Sequence, residues 1–275
     1  MPKKVSESEM DVLEQRALAS AQRIFPCEKE LLNNVPVADI VKHRQDEIQS
    51  EERPFLIRVV GQSGSGKSTQ LMPALEEILQ NTSYVKINVG AFAPFHPEYQ
   101  KWQDQNPAMM REKTNGFALR ALIMFYRYCV EHKTNILFDM TLLEPEIEEY
   151  LMSLAKKSGY QIQLHVLCVP KKVSDRFIRQ RYLTAGRYVS SKSSNYFFDV
   201  LARSLKSLIN QPFFDRTDSV FLWSHYHEHP LKKTSFFNPY VMTILMENRR
   251  NLRIKKASSL LKAKKTWLRL CQRKS

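Results

Sequence analysis

The sequence predicts an α/β fold: a parallel β-sheet flanked by helices, with a helical region before it and a basic helical tail after it. Three observations carry this expectation. Four short runs of β-branched and apolar residues alternate with helical segments, and such alternation implies crossover connections and parallel pairing. A glycine-rich loop stands between the first run and the helix that follows it. Basic residues without acidic partners gather at the end of the chain.

Taken in order, residues 6–50 place Met10, Val12, Leu13, Ala17, Leu18, Ala21 and Ile24 at three- and four-residue steps, with Ser6 or Ser8 available as a cap. After Pro54, the run Phe55-Leu56-Ile57-Arg58-Val59-Val60 reads as a buried strand. Further strand runs fall at 84–89, 135–138 and 161–169, separated by helical stretches at 67–80, 112–132 and 144–157. From Asn238 onward, Leu245, Leu252, Leu260 and Leu261 are spaced among Lys and Arg and predict a helix with no acidic face. The chain therefore divides into a helical N-terminal region, 1–52, a sheet domain, 53–229, and a basic extension, 230–275.

Composition sets the outer limits. The chain has 275 residues, 43% of them hydrophobic and 25% charged, which excludes a disordered profile and gives room for a sizeable core. No apolar run reaches the roughly 18 residues that a membrane-spanning helix needs, and the N-terminus has no apolar signal core, so a cytoplasmic protein is expected. Cys27, Cys129, Cys168 and Cys271 lie far apart, without a CxxC pair, and read as free thiols. The net charge of +14 is concentrated: residues 230–275 hold thirteen Lys or Arg against Glu247 alone, a net of +12, which leaves +2 for residues 1–229.

Gly61-Gln62-Ser63-Gly64-Ser65-Gly66-Lys67-Ser68 satisfies G-x-x-x-x-G-K-[ST] between a strand and a helix, the setting that this phosphate-binding loop requires. Glycines let successive N–H groups turn inward toward phosphate oxygens, and the helix N-terminus adds its dipole. Lys67 then reaches the β- and γ-phosphates, Ser68 offers a hydroxyl to Mg²⁺, and Thr69 follows in the same cradle. This makes the expected fold a P-loop NTPase-type sheet, with ATP and Mg²⁺ as its cofactors. The alternative, a Gly/Ser turn that matches by chance, would have spent three of the chain's seven glycines here to no purpose. Pro73 conflicts with an ideal helix, because an interior proline removes a backbone hydrogen bond.

Asp139 ends the apolar run at 135–138 and so belongs at the C-terminal edge of the sheet, where open α/β sheets bind ligands. It is a candidate magnesium ligand or base; the alternative is a strand-end cap. Arg176, Arg179, Arg181 and Arg187 form a basic cluster that either neutralises a transferring phosphoryl group or is a solvated face.

With these pieces in order, the chain resembles the zeta toxin family of bacterial P-loop kinases, which phosphorylate a nucleotide-activated amino sugar of cell-wall synthesis. Four blocks carry the likeness between about residues 50 and 215: the phosphate loop; Phe92 with His96-Pro97; 135–141, ending in Asp139 and Thr141; and Val169-Pro170-Lys171 with Arg181-Tyr182 and Arg187. The resemblance implies that Arg181 and Arg187 clamp the ATP phosphates and that Asp139 holds the substrate-side acid position. An antitoxin is the partner it implies. The departures lie at the acceptor end. Where the family has an acid-rich I-D-x-D-x-F strand end whose second Asp is the base, this chain reads Ile87-Asn88-Val89-Gly90-Ala91-Phe92. The family's substrate-facing Glu and Arg fall on Ile123 and Leu143.

Three functions compete on this reading. The first is an ATP-dependent kinase acting on a small-molecule acceptor, such as a nucleotide sugar, through Lys67, Ser68, Asp139, Arg181 and Arg187. The second is a nucleic-acid-associated P-loop protein that grips phosphates through residues 230–275, with Tyr240 and Trp267 available to stack on bases. The third is a relative that binds nucleotide without turnover, for want of a base at Gly90. The alternative for the tail is a solvated or disordered extension, or a helix that binds an acidic partner such as an antitoxin or an anionic membrane surface.

Overall fold

A computed structural model describes residues 5–141, 143–185, 189–208, 218–224 and 242–245. The apolar run Phe55–Val60 forms β1, buried at all but its first residue. On one side β1 pairs in parallel with β3 (Ile136–Asp139), which pairs with β2 (Val85–Ile87); on the other it pairs with β4 (Gln161–Cys168), followed by β5 (Ser219–Ser224). The order β2-β3-β1-β4-β5 places the first strand in the middle. The chain leaving β1, β3 and β4 therefore emerges side by side at one edge.

β6 (Met242–Leu245) closes the row antiparallel to β5, with Leu245 opposite Ser219 and Met242 opposite Leu222. At residues 242–245 this corrects the helix expected from Asn238 onward. The leucine spacing there is helical, but Thr243 and Ile244 are β-branched and lie against the open edge of β5, which offers a ladder of backbone partners. The remainder of 230–275 lies outside the described residues.

Helices cover the sheet. Ser6 begins α1 (Glu7–Ile24) with a reciprocal cap: its hydroxyl accepts from Glu9 N–H at 3.2 Å, and the Glu9 carboxylate accepts from Ser6 N–H at 2.8 Å. After the short helices α2 (Lys29–Asn33) and α3 (Val37–His43), the chain enters β1. Met10, Ala17, Val35 and Ile40 join the same apolar core as Leu56, Val60 and Ile136, so the N-terminal helices pack on the sheet rather than apart from it.

The helix expected at 67–80 is present in altered form. Lys67–Leu71 is a wide turn in which Met72 N–H reaches back to Lys67 O, and α4 (Met72–Ile78) starts after it with Pro73 in its first turn. The late start resolves the conflict over Pro73, because a proline in the first turn gives up no internal hydrogen bond. Of the remaining helices, α5 (Tyr99–Gln105) leads into α6 (Pro107–Glu131), and α7 (Pro145–Lys157) connects β3 to β4. α8 (Lys171–Ala185) and α9 (Ser191–Leu208) come after β4.

Candidate functional site

The phosphate loop begins where β1 ends and is shaped by its glycines. Gly64 and Gly66 take left-handed backbone at φ 73° and 94°, and a Cβ on Gly64 would stand 2.4 Å from the carbonyl oxygen of Ser174. Ser65 N–H closes onto Gln62 O, and Thr69 and Gln70 N–H close onto Gly66 O. The N–H groups of Gly64, Gly66, Lys67 and Ser68 keep no carbonyl partner among the described residues, so the loop presents donors to an anion. Lys67 Nζ folds back to donate to Gly61 O at 2.6 Å and Gln62 O at 3.3 Å, oxygens that compete poorly with a phosphate. The Ser68 and Thr69 side chains are exposed at the mouth of the loop.

The β4–α8 connection holds the loop from the side. Gln62 Nε2 donates to Val169 O at 2.5 Å, and the Ser174 hydroxyl donates to Ser63 O. α8 thus stands directly against the loop. It carries Arg181, while Arg176 and Arg179 are exposed on other parts of its surface. Arg187 lies outside the described residues.

Asp139, the last residue of β3, pairs with Val59 of β1, one residue short of the strand end that feeds the loop. Lys67 feels both this acid and Arg181. Burial pushes its ammonium down to about 8, the Asp139 carboxylate pulls it up, and the Arg58 and Arg181 guanidinium groups push it down again. Asp139 and Arg181 thus lie near enough to Lys67 to act on its charge. No cluster of three His, Cys, Asp or Glu that could hold a metal ion occurs among the described residues. Among the described residues, the loop offers the Ser68 hydroxyl as an exposed oxygen that could meet a cation, and Asp139 ends the strand beside β1.

The acceptor side is built differently. The Asn88 carboxamide accepts from Ala91 N–H at 3.1 Å and caps the turn Val89–Ala91, with Gly90 exposed on it. Ile123 and Leu143 are core residues. Phe92 and His96 are also buried: the ring of His96 meets Phe117 edge-on at 5.2 Å, its Nδ1 accepts from Glu98 N–H, and burial lowers its pKa. Both therefore shape the chain after β2.

Sequence reasoning missed Arg58. It is fully buried in β1 and joined by a 2.7 Å hydrogen bond to the equally buried Glu148 of α7. Its one visible sign was a single cation in an otherwise apolar strand.

Comparisons agree with this geometry. The zeta toxin family model matches residues 38–239. Toxin PezT of Streptococcus pneumoniae serotype 4 (strain ATCC BAA-334 / TIGR4) is 27% identical over 126 residues, 46% of this chain and 49% of its own, so the matched stretch spans about half the length of that curated relative. A structure from the PezAT chromosomal toxin-antitoxin system of Streptococcus pneumoniae superposes with a TM-score of 0.57 at 18% identity, covering 91% of this chain and 99% of its own, and shares the fold. The family match takes in the whole sheet up to β5, the phosphate loop and the elements that hold it, and on that basis the chain belongs to the zeta toxin family, with the architecture of a P-loop kinase.

Proposed function

We propose that the protein is an ATP- and Mg²⁺-dependent phosphotransferase whose acceptor is the hydroxyl of a small molecule. The observation that carries this reading is the position of Asp139, which ends the strand next to β1 and acts on Lys67 across a complete phosphate loop. In this reading the loop from Gly61 to Thr69 cradles the phosphates, with Gln62, Ser63, Gly64, Ser65 and Gly66 forming the bend and the N–H groups of Gly64, Gly66, Lys67 and Ser68 donating to phosphate oxygens. Lys67 contacts the transferring group, Ser68 would hold Mg²⁺, which would supply positive charge to the phosphates, and Arg181 and Arg187 neutralise charge as the γ-phosphoryl group moves. The acceptor oxygen attacks the γ-phosphorus, the bond to the β-phosphate oxygen breaks, ADP leaves, and the acceptor proton passes to Asp139. Alternatively, Asp139 would hold Mg²⁺ together with Ser68.

A nucleotide sugar is the class that the family resemblance implies, but Gly90, Ile123 and Leu143 supply no polar side chain at three positions where that resemblance expects one. That absence supports a second reading, a nucleotide-binding relative without turnover. For a partner we propose an acidic antitoxin-like protein, by analogy with the toxin-antitoxin system of the structural relative, matched to the +12 of residues 230–275. The test incubates purified protein with γ-labelled ATP, Mg²⁺ and a panel of hydroxyl acceptors that includes nucleotide sugars. Label transfer that is lost in Lys67→Ala supports the kinase; nucleotide binding without ADP formation supports the second reading.

A further inference from the structure

Beneath the chain that leaves β3 sits a guanidinium group with no access to water. Arg58 donates to both oxygens of the Glu148 carboxylate, at 2.7 and 3.3 Å, and both side chains are 0% exposed. The same guanidinium donates to Met140 O at 2.9 Å, Thr141 O at 3.3 Å and Val59 O at 3.2 Å, and lies 4.3 Å from the ring centre of Phe138. Glu148 accepts from Leu143 N–H at 2.9 Å, and the Ser204 hydroxyl of α9 donates to Leu143 O at 2.5 Å. One ion pair therefore holds β1 and α7 to the backbone that follows Asp139.

Stability alone does not account for an ion pair here. A buried pair forfeits the hydration of two charges, and apolar side chains of similar volume commonly serve a core as well or better. What apolar side chains cannot do is bind carbonyls. Met140 N–H still donates to Val59 O at 3.3 Å, but past Met140 the sheet ladder no longer holds the chain, and the planar fork of Arg58 supplies several donors in fixed directions.

We propose that Arg58 and Glu148 are positioning residues: the buried pair fixes the backbone at Met140, Thr141 and Leu143 and so sets where the Asp139 carboxylate stands relative to Lys67 and the γ-phosphate. This rests on the kinase reading for its consequence in turnover, but not for its consequence in backbone order. Neither side chain touches nucleotide or acceptor.

The test replaces the pair together, Arg58→Met with Glu148→Leu, which keeps the volume apolar and leaves no unpaired charge. We expect a folded protein that binds MgATP at neutral pH much as the wild type does. Its rate of ADP formation at saturating MgATP falls by roughly 10²-fold, the usual consequence of a misplaced group, with KM for ATP little changed. Amide exchange at Met140, Thr141 and Leu143 quickens. Arg58→Lys, which keeps the charge but not the fork, should show the same fall in kcat. An unchanged kcat with unchanged exchange at those three amides overturns the proposal. If the wild type forms no ADP, the kinase reading fails and the exchange result alone decides the positioning role. Should the double variant not fold, Glu148→Gln gives the same two readouts.

Discussion

The Asp139 carboxylate acts on the Lys67 ammonium from the neighbouring strand, and among the described residues it is the charge that raises the proton affinity of a lysine whose burial brings its pKa down to about 8. The sign of the resulting pH dependence follows. Protonated Lys67 attracts phosphate, so ATP affinity should be full at neutral pH and weaken as pH rises through about 8. In Asp139→Asn the midpoint should move lower, because the charge that raised it is gone. Nucleotide titrations across this range check both points. The lysine acts on folding in the opposite direction: a depressed folded-state pKa makes the charged lysine a cost that is fully present below about 8 and fades as pH rises toward the ordinary value of 10.5.

Lys67→Ala should abolish ATP-dependent transfer without lowering the melting temperature, since this lysine contributes charge to the loop and no packing to the core. Loss of a charge aimed at the transferring group costs roughly 10²- to 10³-fold or more in rate. Residual activity at the wild-type level would remove the loop from the mechanism.

Asp139→Asn preserves shape while removing the negative charge. ATP should still bind, and transfer should fall by roughly 10²- to 10⁴-fold, the usual worth of a positioned base. Comparing the Mg²⁺ dependence of binding in the two proteins separates the roles: a base leaves it unchanged, whereas a magnesium ligand does not. Gly90→Asp should fold, since a Cβ there meets only the Asn88 Oδ1 at 3.3 Å. By itself it should not create activity toward an amino-sugar nucleotide, because Ile123 and Leu143 remain apolar and buried.

Gly64→Ala should disable the loop from its side wall. The added methyl meets the Ser174 carbonyl at 2.4 Å in a left-handed conformation that itself costs about 1–2 kcal/mol for a residue with a Cβ. The loop and α8 must separate, so nucleotide affinity should drop while the melting temperature changes modestly. Calorimetric titration alongside thermal melts shows whether the two effects part in this way.

Truncation after residue 229 removes β6 and exposes the edge of β5, on the far side of β4 from the phosphate loop. Nucleotide binding should persist, and binding to polyanions should fall sharply and lose its salt dependence with the +12 of the tail. Unfolding on truncation would instead make β6 an indispensable part of the sheet.

What the sequence revealed and what it hid differ in range. β1, the phosphate loop and Asp139 were legible because their signals are local: an apolar run, a fixed glycine spacing, an acid at a strand end. Ser6 was legible as a cap for the same reason. β6 was not, because its strand state depends on β5, whose own run of Val220 and Phe221 was passed over. Arg58 looked like an interruption in a strand because the carboxylate that explains it lies 90 residues later. The wide turn at Lys67 left one trace, the misfit of Pro73, which marked a late helix start.

Phosphoryl transfer from ATP is best measured directly, by following the γ-phosphate of MgATP in ³¹P NMR with wild-type protein, Lys67→Ala and Asp139→Asn in parallel and an acceptor panel present. A phosphorylated acceptor and ADP should appear together with the wild type, require Mg²⁺, and be lost with Lys67→Ala and strongly slowed with Asp139→Asn. A wild-type protein that binds MgATP tightly and leaves the γ-phosphate in place with every acceptor would contradict the kinase assignment.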